Sequence, residues 1–145
     1  MIVEHCLTAH VRFLIAQGCQ ASQLRQVSHA SAILGNLERP PGLAMTAREG
    51  DRILLCGGIL PTGAHPALGV LWAVLAADAG RHMLWLHRAT RRFIDISPLQ
   101  RLEATVEDGF PAGCRWLELL GFEYEGRMRA YGLNGETHLR YARIR

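Results

Sequence analysis

The chain has 145 residues, of which 49% are hydrophobic and 20% are charged. This length supports one sizeable hydrophobic core, so we predict a single domain over residues 1–145. The composition excludes an intrinsically disordered chain, and a net charge of +3 is too small to indicate nucleic-acid binding by itself. The longest apolar run, residues 69–77, is too short to cross a membrane.

The N-terminal part of the chain alternates between strand-like and helix-like patterns. Hydrophobic residues recur with the period of a strand or of a helix, and polar capping residues or prolines mark the boundaries. These patterns predict a strand at 2–7, a helix from Thr8 to near Gly18, a helix opened by Ser22 over 24–37, and a hairpin of strands 43–47 and 52–60. Gly57 and Gly58 in the second hairpin strand indicate a bulge or a close backbone approach.

The stretch from residue 69 to residue 122 organises the rest of the chain. It predicts an apolar strand at 69–77, a turn at 78–83, a helix at 84–96, a strand at 99–107 and a helix that stops at Gly121. Because the first strand is apolar throughout, we expect it to be covered on both faces. A second hairpin, with strands 123–132 and 136–144, follows. The order β-α-α-β-β-β-α-β-α-β-β predicts an α/β (α+β) fold with one mixed sheet.

This order, together with A-x-x-R-W-L-E-L-L-G-F at 112–122, resembles the GNAT superfamily of N-acetyltransferases. The resemblance implies a central sheet of six or seven strands with helices on both faces and an acyl-CoA site at its centre. LLCGGILPTG, GVLW and RWLELLGF are also similar to small GNAT-like internal virion or assembly proteins of short-tailed phages. That narrower likeness implies a protein partner, a phage structural or assembly protein.

The pyrophosphate-binding turn of the family corresponds to residues 77–83 of this chain. The family pattern is roughly Q/R-x-x-G-x-G/A, in which glycines let backbone N–H groups at a helix start approach an anion. Gly80 matches, whereas His82 stands where a second small residue is expected, and Asp78 adds negative charge that Arg81 offsets. If acetyl-CoA binds, the resemblance places its pyrophosphate on Gly80, Arg81, His82 and Met83. An ordinary strand-to-helix turn, with Asp78 or Gly80 near the cap, is the alternative.

The catalytic groups that the resemblance implies are not in their family positions. The strand at 69–77 carries no ionisable residue to act as a base, and Leu117 replaces the tyrosine that protonates the departing thiolate. Phe110 replaces the asparagine that often follows the second strand. The weak candidates for catalysis are His65, Glu103 and Tyr124. His65 is otherwise a solvated loop residue, and Glu103 an exposed strand residue.

These substitutions favour a GNAT-fold protein with a degenerate acetyl-CoA site, which acts as a non-catalytic virion or assembly component through protein binding. The alternative is an atypical acetyl-CoA-dependent N-acetyltransferase that acts on a small amine or a protein amino group. We therefore expect no cofactor, with acetyl-CoA as the alternative, and the scattered histidines and cysteines predict no metal site. Arginines 88, 91 and 92 form a helix face that we interpret as solvated, so nucleic acid is not an expected ligand. The expected location is the cytoplasm of a bacterial host, or the virion.

Overall fold

The computed structural model describes residues 1–16, 44–62, 65–132 and 134–145. Seven strands lie in these ranges: β1 (Ile2–His5), β2 (Ala44–Glu49), β3 (Arg52–Pro61), β4 (Leu68–Leu75), β5 (Arg101–Glu107), β6 (Glu123–Met128) and β7 (His138–Ile144). The helices are α1 (Thr8–Ala16), α2 (Met83–Asp95) and α3 (Pro111–Leu119), and a 3-10 turn at Ala79–His82 leads directly into α2. The second predicted helix, at 24–37, lies outside the described residues.

All seven strands belong to one mixed sheet with the order β1-β2-β3-β4-β5-β7-β6. Strands β4 and β5 pair in parallel, whereas β1 with β2, β2 with β3, β5 with β7 and β6 with β7 pair antiparallel. The parallel pairing joins residues 68–70 to residues 101–103. The α/β (α+β) class and the predicted order of the described elements are confirmed.

The chain divides into two compact units. Unit 1 comprises Met1–Leu60 and Trp72–Ala89, and unit 2 comprises Pro61–Leu71 and Thr90–Arg145. The largest fully buried side chains of unit 1 include Leu14, Leu54, Leu55 and Leu86, and the buried side chains of unit 2 include Leu102, Leu120, Phe122 and Tyr141. Each unit thus contributes its own set of core residues. The single domain over residues 1–145 stays a prediction.

The β2–β3 hairpin of unit 1 closes through a two-residue turn. Glu49 pairs with Arg52, and Gly50 between them has a φ of 55°, a left-handed conformation that glycine adopts without strain. Further along β3, a Cβ atom at Gly57 would lie 3.0 Å from the carbonyl oxygen of Trp72. The close backbone approach predicted from the paired glycines is therefore confirmed.

Helix α3 of unit 2 has clear signals at both ends. Pro111 occupies its first turn, where a missing N–H group costs nothing. At the other end the N–H of Gly121 donates to the carbonyl of Glu118, and the N–H of Phe122 donates to that of Leu117. These two bonds, with Gly121 at a φ of 88°, form a Schellman motif. The predicted stop at Gly121 is confirmed.

One detail of the central stretch differs from the prediction. Only Gly69 and Val74 of β4 are buried, and the other six residues of the strand are half-buried, so neighbouring elements do not fully cover both faces of the strand. In α2, the apolar side chain of Leu84 is likewise 67% exposed. An apolar sequence sets the type of element here, but it does not determine how fully neighbouring elements cover it.

The C-terminal hairpin is shorter than the sequence predicted. Strand β6 ends at Met128, because Ala130 adopts a left-handed φ of 53° and takes the chain out of the strand. The N–H groups of Tyr131 and Gly132 then both donate to the carbonyl of Glu136. The N–H of Gly135 donates to the carbonyl of Gly132, so a turn closes where the sequence predicted one, and the difference from the prediction is that β6 ends at Met128 and not at residue 132.

His138, at the start of β7, gives unit 2 a pH-dependent stability. The residue is 4% exposed, and neither ring nitrogen has a hydrogen-bond partner among the described residues. Burial lowers the pKa of His138, and the carboxylates of Glu107 and Glu136 offset only part of that effect. As pH falls below about 6.5 the unfolded chain binds a proton that the folded chain resists, so stability falls with pH.

Replacing His138 with phenylalanine is expected to flatten this dependence, since the ring contact with Tyr131 can persist without a titrating group. Thermal unfolding measured between about pH 5 and pH 8, a range that brackets the ordinary histidine pKa, compares the two proteins. The wild-type melting temperature should fall more steeply toward acid than that of the variant. Parallel curves would show that His138 does not titrate differently in the folded and unfolded states.

Candidate functional site

The β4–α2 turn, residues 76–82, lies within unit 1 and connects the central strand to the start of a helix. The N–H of Ala76 donates to the carbonyl of Leu54 at 2.9 Å, which fixes the end of β4 against β3. The N–H of Ala79 donates back to Ala76, and the 3-10 turn begins there. Asp78 occupies the N-cap position, but its side chain makes no capping hydrogen bond. Asp78 is thus in the position to cap the start of the helix, but its side chain does not cap it.

Gly80 is the distinctive residue of this turn. Its φ lies outside the left-handed region, and a Cβ atom at this position would meet nothing within 4 Å. Neither backbone conformation nor internal packing therefore requires a glycine here. The space beside the backbone is open to solvent, as the close approach of an anion to backbone N–H groups demands.

His82 does not fill that space. Its side chain is only 13% exposed, and Nε2 lies 3.7 Å from a carboxylate oxygen of Glu49 at the end of β2. The ring is thus directed toward the β2–β3 hairpin of the same unit. The sequence suggested that His82 stands where a phosphate would have to approach, but the structure leaves the position beside Gly80 clear.

The charge of Asp78 is compensated by two arginines. Arg81 donates a hydrogen bond to Asp78 Oδ2 at 2.6 Å, and Arg52, the first residue of β3, forms an ion pair with the same oxygen. Sequence reasoning identified the partial offset by Arg81 but not the contribution of Arg52. The fold brings Arg52 to the turn from 26 positions earlier in the chain, so no local pattern could have revealed it.

The three weak catalytic candidates lie in unit 2, and each makes a hydrogen bond or a ring contact with a neighbouring residue. His65 is exposed, and its Nδ1 accepts a hydrogen bond from the N–H of Ala67 at 3.3 Å. Glu103 accepts a hydrogen bond from Arg101 at 2.9 Å. Tyr124 is 55% exposed, with its ring against that of Tyr141. Within the part of the chain that the structure describes, no hydrogen bond or ion pair joins any two of the three.

The core of unit 2 contains Leu117, which stands at the position of the family's tyrosine acid, and also Tyr141. Leu117 is 8% exposed and packs as a core residue of α3. Tyr141 is 4% exposed, and burial, with a hydrogen bond to Cys114, raises its pKa to about 12. A phenol with that pKa stays protonated at neutral pH, so Tyr141 can donate a proton in hydrogen bonds but cannot serve as a base.

The described ranges contain neither a cluster of metal ligands nor a membrane-spanning helix. No three His, Cys, Asp or Glu side chains there cluster in a way that could hold a metal ion. None of the described helices is long and apolar enough to cross a membrane. The β4–α2 turn, with the open space beside Gly80, is a candidate ligand site of another kind.

Comparison with known proteins identifies the fold. No protein-family model and no curated protein sequence matches the chain. Among solved structures, the ribosomal-protein-alanine N-acetyltransferase from Brucella melitensis superposes with a TM-score of 0.68 at 17% identity, over 100% of both chains. A variant of the spermidine N-acetyltransferase from Vibrio cholerae gives 0.68 at 12% identity, over 99% of this chain and 95% of that one.

A third structure, the acetyltransferase of the GNAT family from Streptococcus pneumoniae, gives a TM-score of 0.66 at 16% identity, over 99% of both chains. Identities this low establish the fold and not the activity. The finer likeness to phage virion and assembly proteins stays a prediction. The described part of the chain has the fold of the GNAT acetyltransferases.

Proposed function

We propose that this protein binds acetyl-CoA at the β4–α2 turn and transfers the acetyl group to a primary amine. The observation that carries the proposal is the open space beside Gly80 at the start of the helix. This open space gives a ligand room to reach the backbone of the turn. The turn also occupies the place, between β4 and the following helix, to which the family resemblance assigns the pyrophosphate.

The electrostatics of the turn are compatible with that ligand. Helix starts favour anions because their first N–H groups lack partners within the helix and the helix dipole is positive there. Asp78 would oppose an anion, but Arg52 and Arg81 compensate its charge. Gly80, Arg81, His82 and Met83 remain the residues proposed to hold the pyrophosphate, mainly through their backbone.

Bound acetyl-CoA would supply an activated thioester, and the chain's own residues would orient the ligand and admit the amine. A primary amine must lose a proton as it is acylated. Glu103 already binds a guanidinium group and His65 is an exposed residue within its own turn, so neither is held ready as a base. We therefore infer that solvent accepts the amine proton, and that the enzyme accelerates transfer chiefly by bringing the two reactants together.

The acceptor class is a small amine or a protein amino group. Of the structural neighbours, one is named for an alanine of a ribosomal protein and another for spermidine. Both acceptors present a primary amine, and this common feature supports the proposed class. A peptide with an N-terminal alanine and spermidine are accordingly suitable first acceptors.

A second candidate function is protein binding without catalysis, as in a virion or assembly component. It is favoured by one observation: Leu117, in the position of the family's tyrosine acid, is a buried core residue. A leucine there cannot protonate a thiolate. This alone does not prevent acyl transfer, because a thiolate can leave without an acid.

Calorimetric titration of the protein with acetyl-CoA tests the proposal. We expect a dissociation constant in the micromolar range, which corresponds to about −8 kcal/mol, and acetylation of a primary amine detectable by mass spectrometry. Absence of heat and of a thermal shift at millimolar acetyl-CoA would contradict the proposal. Binding without transfer to either acceptor would favour the second candidate.

A further inference from the structure

The β4–α2 turn contains an anion of its own, in direct contact with two cations. Oδ2 of Asp78 accepts a hydrogen bond from Arg81 at 2.6 Å and forms an ion pair with Arg52. The two guanidinium groups come from different elements, the 3-10 turn and the first residue of β3. We refer to Arg52, Asp78 and Arg81 as the Asp78 cluster.

The Asp78 cluster reproduces the contacts that a phosphoryl oxygen would make. Guanidinium groups bind carboxylate and phosphate oxygens with the same planar arrangement of donors. The side chains of all three residues are partly exposed, at 49% for Arg52, 33% for Asp78 and 62% for Arg81. A pair this accessible to water is held weakly and can exchange partners.

The position of Asp78 places it in competition with a bound anion. The residue lies two positions before Gly80, at the N-cap, and its carboxylate makes no bond to the helix start. A pyrophosphate group beside Gly80 would therefore be repelled by this carboxylate unless the arginines turned from it to the phosphate. Repulsion between charges a few ångströms apart persists in water and weakens with salt.

We infer that Asp78 is a specificity-determining residue that occupies Arg52 and Arg81 as an internal anion, and that a pyrophosphate-containing ligand binds by taking these arginines over. The inference rests on the proposed function for the identity of the ligand. On this inference, Arg52 contributes to ligand binding. Ligands with a single negative charge compete poorly against the Asp78 carboxylate for the two arginines. The turn therefore selects for polyanionic ligands such as a nucleotide pyrophosphate.

The substitution Asp78→Asn tests this inference, because asparagine has nearly the same shape and is an equally good N-cap residue. Asp95→Asn is the matched control: Asp95 is also a partly exposed carboxylate that pairs with two arginines, Arg91 and Arg143, and its loss changes net charge equally. Titrations use inorganic pyrophosphate and acetyl-CoA as separate probes. A third protein, Arg52→Gln, removes one cation of the cluster.

Asp78→Asn is expected to bind pyrophosphate about tenfold more tightly than the wild type, and Arg52→Gln about fivefold more weakly, as expected for charges at short range in water. Asp95→Asn should change the constant less than about twofold, because exposed charges far from the ligand are screened. The gain for Asp78→Asn should shrink in about 1 M salt, where the Debye length falls to about 3 Å. A purely structural role for Asp78 would not show this salt dependence.

Unchanged or weaker pyrophosphate binding by Asp78→Asn would overturn the inference, as would the absence of pyrophosphate binding by all four proteins. Failure of the proposed function gives a different result: acetyl-CoA would bind none of the proteins, while pyrophosphate still bound Asp78→Asn more tightly than the wild type. If Asp78→Asn instead bound acetyl-CoA and pyrophosphate each with the same affinity as the wild type, the proposed ligand site would stand but the role assigned to Asp78 would be wrong.

Discussion

Replacing Gly80 with valine is expected to weaken acetyl-CoA binding by about 100-fold, or about 2.7 kcal/mol. The space beside the Gly80 backbone is open in the folded protein. A valine side chain would occupy that space and hold an anion away from the backbone N–H groups of the turn. Folding should not suffer, because valine has a better helix propensity than glycine and a Cβ atom at this position meets no atom within 4 Å.

Gly126→Val provides the matched control for this substitution. Gly126 lies in β6, its φ is also outside the left-handed region, and a Cβ atom there meets nothing within 4 Å. Calorimetry with acetyl-CoA should therefore give the wild-type constant for Gly126→Val and a strongly weakened one for Gly80→Val. Equal affinities in all three proteins would show that the ligand does not approach Gly80.

The fold could be predicted from the sequence because local signals agree with the tertiary arrangement. The period of the apolar residues identified each described strand and helix, and the glycines at 50 and 121 marked a hairpin turn and a helix end. The end of β6 at Met128 was missed because a non-glycine residue, Ala130, takes the left-handed conformation shortly after it. Sequence offers no signal for that choice at an alanine.

The candidate site was predictable only where its properties are local. Gly80 follows from its position in a strand-turn-helix sequence, and its lack of a structural reason became visible only in three dimensions. The imidazole ring of His82 is directed toward Glu49, and the negative charge of Asp78 is compensated in part by Arg52. Both partners belong to the β2–β3 hairpin, so their contribution depends on tertiary packing that no spacing rule encodes.

Replacing Leu54 with alanine is expected to lower the free energy of unfolding by about 3 kcal/mol, within the range measured for buried leucines. Leu54 is completely buried in β3, and its carbonyl accepts the hydrogen bond from Ala76 that fixes the end of β4. Truncation removes apolar contacts and leaves a cavity that the surrounding strands of unit 1 can close only in part.

Leu84→Ala supplies the control, since Leu84 belongs to the same unit and is 67% exposed. Its truncation should change stability by less than about 0.5 kcal/mol, as surface substitutions usually do. Urea unfolding followed by tryptophan fluorescence measures both variants, and the midpoints should separate clearly while the slopes remain similar. A Leu54 variant as stable as the Leu84 variant would mean that β3 does not pack in the core of unit 1 as described.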